Sequence, residues 1–289
     1  MYSKYIGKLA GIIVCIVATK ATAITLMEIN AEWLWDCHGP HEGRVVGDSR
    51  PAPTCKEYDE EVDYYAGLIQ KYAPDAVALI EIENCGVGDK LAKAIGPGFK
   101  SVCHKSRDTY TGQDLAILFN TAIFTPVSGT VTTHPDQYAM DGQKRVRPSK
   151  VLSVIANHNK TGDKYLFSGA HLISKTRESN ETKRHAQALA LRAGVDSMIE
   201  SYRPDHIVVM GDMNDYPGTQ TLINLKGTDL VNPADSDDCS YEYRGKCHLI
   251  DHILISRGLA GGELTDIDVP DKYTDHKPVL YQQSKTKLK

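Results

Sequence analysis

Short apolar runs rich in β-branched residues recur along the chain and predict a protein built largely from β-strands. Each run has the length of one strand and is bounded by turn-forming residues. The runs that we interpret as strands are Ile24–Ile29, Ala76–Ile80, Leu115–Phe119, Val151–Ile155, Tyr165–Ala170, Ile207–Met210, Leu249–Ile255 and Pro278–Tyr281.

Two other segments have the apolar spacing of a helix. One face, which ends shortly before Pro74, is formed by Val62, Tyr65, Ile69 and Tyr72. A second face, which ends before Pro204, is formed by Leu191, Val195, Met198, Ile199 and Tyr202. Many strands with a few interposed helices, and no repeat or linker, predict an α/β or α+β fold in one domain, residues 24–289.

The N-terminus has the pattern of a signal peptide. Lys4 and Lys8 precede an apolar run, Leu9–Thr19, which is too short to span a bilayer, and Ala21-Thr22-Ala23 has the form of a cleavage site. We therefore interpret residues 1–23 as a signal peptide rather than an uncleaved anchor. This predicts a secreted or periplasmic protein with no stable membrane association after cleavage.

Removal of residues 1–23 would make the chain more acidic. The formal charge of −4 becomes −7, because the segment carries three lysines and no acids. A chain this acidic is unlike a general nucleic-acid binder, so any attraction of phosphate must be local.

Six cysteines remain after residue 23, and an even number in an exported chain favours disulfides. Six cysteines allow fifteen pairings. Proximity in sequence favours Cys37–Cys55, Cys85–Cys103 and Cys239–Cys247. The alternative, a structural zinc site, is disfavoured because no C-x-x-C pair occurs.

Polar side chains follow or interrupt nearly every predicted strand. They are Asn30, Glu81, His171, Asp212, Asn214, Asp251, Asp275 and His276. Buried polar groups are costly unless they are paired, and core strands do not need such endings. For one residue, a strand that simply runs out into solvent explains the pattern equally well. For the whole set, a shared polar site at one edge of a sheet is favoured.

The segments around these residues resemble, in order, the motifs of the endonuclease/exonuclease/phosphatase superfamily, of the DNase I-like kind. The first three are Ile29-Asn30-Ala31-Glu32-Trp33-Leu34, Pro74–Asn84 and Ser168–Lys175; the last three are Val209–Asp215, with Gly211-Asp212-Met213-Asn214, Leu249–Leu254 and Thr274–Val279. In the second motif Ile80 stands where the family usually has a glutamine before its glutamate, Glu81. The resemblance implies a four-layer sandwich of two packed mixed β-sheets flanked by helices.

The resemblance also implies a divalent-metal site. Glu81 is the expected metal ligand, Asn30 would orient the metal or a phosphate oxygen, and Asp275 would hold a metal directly or through water. Glu83 shares the side of Glu81 if the strand continues, but only Glu81 aligns with the family's glutamate. Oxygen ligands suit Mg²⁺, with Mn²⁺ or Ca²⁺ as alternatives.

The expected catalytic groups are His171, Asp212, Asn214, Asp251 and His276. His276 is the expected general base, with its tautomer fixed by Asp251. Asp212 and Asn214 would orient the attacking water or the phosphate, although proton transfer to Asp212 instead remains open. His171 would donate to a phosphoryl or leaving oxygen, with Asp114 as its expected support.

Two basic stretches lie beside these motifs: Lys144, Arg145, Arg147 and Lys150, and Lys175, Arg177, Lys183 and Arg184. Such stretches are usually solvated loops, but Arg147 and Lys175 are candidates for phosphate contacts that give affinity without sequence information.

The expected function is hydrolysis of DNA, with RNA left open as a second substrate, by a monomer with little sequence specificity. Two alternatives remain open, because fold does not fix substrate. One is a phosphoesterase of the same fold that acts on a phospholipid or an inositol phosphate. The other is a catalytically inactive binding subunit, which the complete set of polar residues disfavours.

Overall fold

The computed structural model of the protein describes residues 23–39, 41 and 52–284. The predicted signal peptide therefore lies outside the described residues, except for Ala23. Within the described part, no helix is long and apolar enough to cross a bilayer.

Sixteen strands and four α-helices make up the described chain. The strands are β1 (Thr25–Leu34), β2 (Ala76–Ile82), β3 (Phe99–Cys103), β4 (Asp114–Asn120), β5 (Phe124–Pro126), β6 (Ala139–Asp141), β7 (Lys144–Val146), β8 (Lys150–His158), β9 (Lys164–His171), β10 (His206–Asp212), β11 (Leu230–Val231), β12 (Tyr241–Tyr243), β13 (Lys246–His248), β14 (Asp251–Ser256), β15 (Gly262–Asp266) and β16 (Val279–Gln283). The helices are α1 (Cys55–Tyr72), α2 (Cys85–Ile95), α3 (Asn180–Tyr202) and α4 (Gln220–Lys226).

Twelve of the strands form two mixed six-stranded sheets. The first has the order β15-β16-β1-β2-β4-β3, and the second has the order β11-β14-β10-β9-β8-β5. Each sheet contains one parallel pair, β1 with β2 and β9 with β10, and its other pairs are antiparallel. The parallel pairs place the ends of both strands at the same edge of their sheet.

The two sheets pack face to face, with helices on their outer faces. Along β2, Ala76, Ala78 and Ile80 join the core between the sheets, whereas Val77 and Leu79 join the core shared with α1 and α2. A third core packs the second sheet against α3 and α4. Because both faces of the central strands are buried, their sequences are continuous apolar runs. The predicted four-layer sandwich is confirmed.

The ends of the long helices follow from local chemistry. Thr54 caps α1 in a capping box with Glu57, and Ala73 ends the helix in the left-handed conformation just before Pro74. The side chain of Asn84 accepts a hydrogen bond from the Val87 backbone and caps α2. Since α2 is short and α4 has only seven residues, their apolar periodicity was too brief to predict them.

One predicted strand boundary is wrong in a way that affects the site. The apolar run Leu249–Ile255 begins two residues before the strand, because β14 begins at Asp251. Asp251 is therefore the first residue of its strand and not, as the run predicted, a residue in the interior of the strand. Since β14 runs antiparallel to β10, this start still lies at the edge where β10 ends.

The three cysteine pairings favoured by sequence proximity are the ones that the structure contains. Cys37–Cys55, Cys85–Cys103 and Cys239–Cys247 have Cα–Cα distances of 4.9, 5.4 and 5.5 Å, within the usual range for disulfides. The first joins Cys37 to the first residue of α1, the second joins α2 to β3, and the third closes the hairpin β12–β13.

Gly194 in α3 provides a stability prediction with a matched control. A Cβ at Gly194 would lie 2.5 Å from the ring of buried His134, whereas a Cβ at Gly67 in α1 meets nothing within 4 Å. Gly194→Ala is expected to lower the free energy of unfolding by about 1–3 kcal/mol through overpacking. Gly67→Ala is expected to raise it by about 0.5–1 kcal/mol, because alanine favours helix. Denaturant unfolding measures both, and equal shifts would contradict the packing of α3 on His134.

Candidate active site

Three polar residues lie side by side where the second sheet ends. β9 ends at His171, β10 ends at Asp212 and β14 begins at Asp251. Asp212 is the register partner of both His171 and Asp251. The sheet alone therefore places Asp212 between Asp251 on β14 and His171 on β9.

Gly211 allows β9 and β10 to end this way. Its φ is +140°, and a Cβ there would lie 1.9 Å from the carbonyl oxygen of Ala170. Only glycine can occupy this position without displacing the neighbouring strand. This close approach explains why the Gly-Asp-x-Asn motif begins with glycine.

The first sheet contributes Asn30 and Glu81 through irregular backbone. The pairing of β1 with β2 shifts register after Asn30, and the pairing of β2 with β4 shifts around Glu81. Glu81 has a φ of 63°. Such bulges redirect a side chain from the pleat of the sheet. Asn30 Nδ2 lies 3.4 Å from Glu81 Oε1 and 3.2 Å from Asp212 Oδ2, so it joins the two sheets.

His276 and Asp251 form a buried imidazole–carboxylate pair. His276 Nδ1 lies 2.7 Å from Asp251 Oδ2, and His276 Nε2 lies 3.7 Å from Asp275 Oδ1. Burial lowers the pKa of His276, but the charge and hydrogen bond of Asp251, with the charge of Asp212, raise it well above its usual 6.5. The contact with Asp251 orients the His276 ring, so that Nε2 is on the side of Asp275.

Asp212 is held by amide donors. The Asn214 backbone N–H donates to Asp212 Oδ1 at 2.7 Å, and Asn214 Nδ2 donates to Asp212 Oδ2 at 3.0 Å. Burial, followed by the charge of Asp251, raises the pKa of Asp212 well above its usual value. The carboxylate is thus oriented by its neighbours and is surrounded by other negative charge.

His171 lies between the carboxylates of Glu81 and Asp212. Its Nδ1 is 3.7 Å from Glu81 Oε1, and its Nε2 is 3.5 Å from Asp212 Oδ2. Burial, and then the charge of Lys150, lowers its pKa well below 6.5. The ring is therefore neutral at pH 7 and can donate one hydrogen bond.

The structure does not bring Asp114, the expected support of His171, to the face of β4 that meets the site. Along β4, Leu115 and Ile117 face the other sheet while Ala116 faces the helices, and Asp114 shares the side of Ala116. Asp114 Oδ1 accepts from the Ser106 backbone at 2.7 Å. Because successive residues of a strand face opposite sides, the side chain of the preceding residue, Gln113, is the one that reaches the site.

Gln113 and Lys150 reach the site through Glu81. Gln113 Nε2 donates to Glu81 Oε2 at 2.5 Å, and Lys150 Nζ donates to Gln113 Oε1 at 2.8 Å. Lys150 is the first residue of β8 and the register partner of His171. It had been assigned only to a basic stretch, but the Gln113 amide relays its contact to Glu81.

Of the two side chains expected to bind phosphate, Lys175 lies in the cleft and Arg147 does not. Lys175 lines the cleft, where its Nζ lies 2.5 Å from Asp215 Oδ1 and 4.1 Å from the ring centre of Tyr216. Arg147 is exposed, donates to the carbonyl of Pro135 and is not among the residues that line the cleft. The structure therefore does not bring Arg147 to the site.

A cleft of about 610 Å³ contains these groups. It is lined by Glu32, Trp33, Glu81, His171, Ser174, Lys175, Thr176, Asp212, Asn214, Tyr216, Tyr241, Tyr243, His248, Ile250, Asp275 and His276. Sequence reasoning missed its aromatic members and Glu32, whose Oε2 accepts from the Asp275 backbone at 2.8 Å. The alternation Tyr-Glu-Tyr before Arg-Gly was the available signal for part of this wall.

Buried Glu28 is a further residue that the sequence did not reveal. It is fully buried in β1, and neither side-chain oxygen has a hydrogen-bond partner among the described residues. Burial, then the charges of Asp251 and Asp212, raises its pKa well above 4.5. The neutral acid is therefore favoured in the folded protein.

This gives a pH prediction for Glu28→Gln. A group whose pKa is raised on folding contributes stability below its unfolded pKa of 4.5, and this contribution is lost as pH rises. Above pH 4.5, the free energy of unfolding of the variant is expected to rise relative to that of the natural protein by at most about 1.4 kcal/mol per pH unit. Unfolding in EDTA at several pH values measures the difference, and a gap that does not widen with pH would contradict a neutral Glu28.

The cleft has the donor set that a hard divalent cation needs. Glu81, His171 and Asp212 each offer one atom within 4.8 Å of the others, and Asp212, Asp251 and His276 do the same. Burial raises the pKa of both Glu81 and Asp212, and the charges of Asp251 and Glu81 raise that of Asp212 further, so Lys150 and His276 balance these carboxylates only in part. A cation ligated by carboxylate and amide oxygens would supply that balance. The residues therefore fit a divalent ion held by Glu81, with Asn30 beside it.

Glu83 lies outside this cleft. Its oxygens contact His41 Nδ1 at 2.7 Å and accept from the Asp36 backbone at 2.9 Å. The bulge at Glu81 separates the two glutamates, which therefore serve different places. Asp36, His41 and Glu83 form their own cluster, anchored to α2 through Asn84.

Two mixed sheets with a carboxylate–imidazole site at their common edge define the class of protein. The chain belongs to the Endonuclease/Exonuclease/phosphatase family, whose sequence model matches residues 28–286. Enzymes of this family are typically divalent-metal-dependent phosphoesterases or nucleases, which supports a hydrolase. A search among curated proteins found no sequence that matches this chain.

Solved structures share the fold at low sequence identity. The human nocturnin catalytic domain with bound sulfate has a TM-score of 0.61 and 15% identity, over 90% of this chain and 93% of its own. A mannosyl-6-phosphatase from Bacteroides thetaiotaomicron has a TM-score of 0.58 and 13% identity, over 89% and 98%. ANGEL2, a 2′,3′-cyclic phosphatase in complex with adenosine-2′,3′-vanadate, has a TM-score of 0.60 and 13% identity, over 90% and 95%. At these identities the likeness establishes the fold alone.

Proposed function

We propose that the protein is a Mg²⁺-dependent phosphodiesterase that hydrolyses nucleic acid, DNA more readily than RNA, with little sequence specificity. The observation that carries the proposal is the buried Asp251–His276 pair, whose imidazole lines one cleft with Asp212, Asn214 and Glu81. Asn30 lies behind them and donates a hydrogen bond to Asp212. This set supplies a base, a water-orienting group and a cation ligand for phosphodiester hydrolysis.

His276 is the proposed base. Asp251 occupies Nδ1, so Nε2 is the atom that accepts the proton from the attacking water. The carboxylates that raise the pKa of His276 include Asp212 and Asp275. A cation held beside them would offset their charge and bring that pKa toward the range in which imidazole accepts a proton.

Asp212 orients the water in this proposal. Its two oxygens already receive hydrogen bonds from Asn30 and from the backbone and side chain of Asn214. A carboxylate held in this way has a fixed direction, which suits positioning. Proton transfer to Asp212 remains the alternative, which replacement of His276 tests.

The divalent ion supplies charge neutralisation at the phosphoryl oxygens and the leaving oxygen. Glu81 would hold it, with Asn30 and Asp275 as further oxygen donors. Gln113 orients Glu81, and Lys150 orients Gln113. His171, neutral and buried, donates to a phosphoryl or leaving oxygen.

Nucleic acid is the proposed substrate because of what surrounds the phosphate site. Lys175 and the rings of Tyr216 and Tyr243 line the same cleft. A cation beside aromatic faces suits a backbone phosphate with adjoining bases. The structural neighbours include a sugar phosphatase, so substrates must be compared directly.

A substrate panel tests the assignment. We would assay the protein with Mg²⁺ on DNA, RNA, sphingomyelin vesicles, an inositol phosphate and mannose 6-phosphate at matched phosphate concentration. The proposal expects the highest kcat/KM on DNA, followed by RNA. A higher value on the lipid, inositol or sugar substrate would overturn the nuclease assignment and leave a phosphoesterase.

Export is also part of the proposal. The N-terminal sequence pattern and the three cysteine pairs at disulfide distance support secretion or periplasmic location of a monomer. We expect non-reducing peptide mass mapping of the exported protein to find Cys37–Cys55, Cys85–Cys103 and Cys239–Cys247, with a mature chain that begins at Ile24. Six free thiols would contradict the location.

A further inference from the structure

A disulfide-closed hairpin forms one wall of the cleft. β12 and β13 are joined by Arg244 and Gly245, whose φ values of 52° and 71° are both positive, as a two-residue type I′ turn requires. Cys239–Cys247 closes the hairpin. A bridge from Tyr241 to His276 ties it to the proposed base. The wall is thus stiff and has a fixed place beside the reacting phosphate.

The hairpin presents two nearly parallel rings to the cleft. Tyr241 and Tyr243 alternate along β12 and both line the cleft. Their ring centres are 6.4 Å apart, with an angle of 11° between the planes. Tyr241 lies 5.1 Å from the His276 ring, and Tyr243 is 50% exposed. The rings therefore lead outward from the base.

A second ring pair lines the cleft near Lys175. Tyr216 and His248 lie 5.1 Å apart with 22° between their planes, and Lys175 Nζ stands over the Tyr216 ring. At the hairpin tip, Arg244 stands over the Tyr243 ring, with its Cζ 5.0 Å from the ring centre. Cations and flat rings alternate around the phosphate site of a chain whose formal charge is −4.

We propose that this hairpin is a stacking platform for unpaired bases, so that the cleft acts on single-stranded nucleic acid in preference to duplex. The proposal rests on the proposed function. Ring faces accept any base, but only when that base is not already stacked and paired in a duplex. One base stacked on a protein ring contributes roughly tenfold to a hundredfold in affinity.

Tyr243→Ala is the test variant, with Tyr243→Phe as the conservative one. Tyr138→Ala is the matched control, because Tyr138 is also exposed and lies under an arginine, Arg145, but does not line the cleft. Substrates would be a single-stranded oligonucleotide, the same sequence as duplex, and bis(p-nitrophenyl) phosphate. KM and kcat would be measured separately for each.

The natural protein is expected to prefer the single strand. Tyr243→Ala is expected to raise KM for the single strand at least about tenfold more than for the small diester, while Tyr243→Phe and Tyr138→Ala stay near the natural values. Equal effects of Tyr243→Ala on single strand, duplex and small diester would overturn the platform and leave the nuclease assignment intact.

A binding measurement separates this inference from the catalytic proposal. Fluorescence anisotropy with the His276→Ala protein would follow binding of oligothymidylate and oligouridylate, with and without Tyr243→Ala. Weaker binding of either strand on loss of Tyr243 supports the platform even if no strand is cleaved, and the two strands distinguish DNA from RNA. Unchanged binding of both would overturn it.

Discussion

Replacing His276 with alanine is expected to lower kcat on DNA by about 10²–10⁴-fold while the protein remains folded. The imidazole is the proposed base, and its loss leaves Asp251, a fully buried carboxylate, without its 2.7 Å partner. Steady-state kinetics and circular dichroism measure the two effects. His104→Ala is the matched control, because His104 is exposed and does not line the cleft. Near-normal turnover by folded His276→Ala would transfer the base role to Asp212.

Asp251→Asn tests the pair in a second way. Asp251 raises the pKa of His276. A general base works when deprotonated, so removing this charge is expected to move the rise of activity with pH toward lower pH, while kcat falls because the tautomer is no longer fixed. An unmoved pH profile would contradict the coupling of the two residues.

Replacing Glu81 with glutamine is expected to raise the Mg²⁺ concentration for half-maximal activity at least about tenfold and to lower kcat at saturation. Gln113 donates to Glu81 Oε2 and Asn30 donates to Glu81 Oε1, so the two amides orient the carboxylate that would hold the ion. Metal titration of activity measures both changes.

Glu83→Gln is the matched control for Glu81. Glu83 is two residues away and 2% exposed, but it contacts His41 and Asp36 outside the cleft. Its replacement is expected to lower the unfolding temperature and leave the Mg²⁺ dependence unchanged. A Mg²⁺ requirement that shifts with Glu83→Gln and not with Glu81→Gln would reverse the assignment of the two glutamates.

The central strands could be predicted because burial on both faces leaves a continuous apolar run, as in β2 and β10. Their polar endings meet because β9 and β10 run parallel and β14 antiparallel, so an end and a beginning share one edge. Strands of two or three residues, such as β11 and β5, carry too little periodicity to be detected. The fold was therefore predictable from its core and not from its edges.

Parts of the site were not predictable because they depend on backbone direction. Choosing Gln113 over Asp114 required knowing which face of β4 meets the site. Arg147 has the right chemistry, but its guanidinium contacts the carbonyl of Pro135. Glu81 lines the cleft and Glu83 does not, and only the family motif distinguished the two, since the separating bulge has no signature in the residues themselves.

Incubation of circular single-stranded DNA and supercoiled plasmid with the purified protein, in Mg²⁺ or in EDTA, tests the central claim most directly. The account predicts cleavage in Mg²⁺, faster on the single strand, that disappears in EDTA and in His276→Ala. Intact DNA under every condition with folded protein would contradict the nuclease. Cleavage that persists in EDTA would contradict the metal-dependent site.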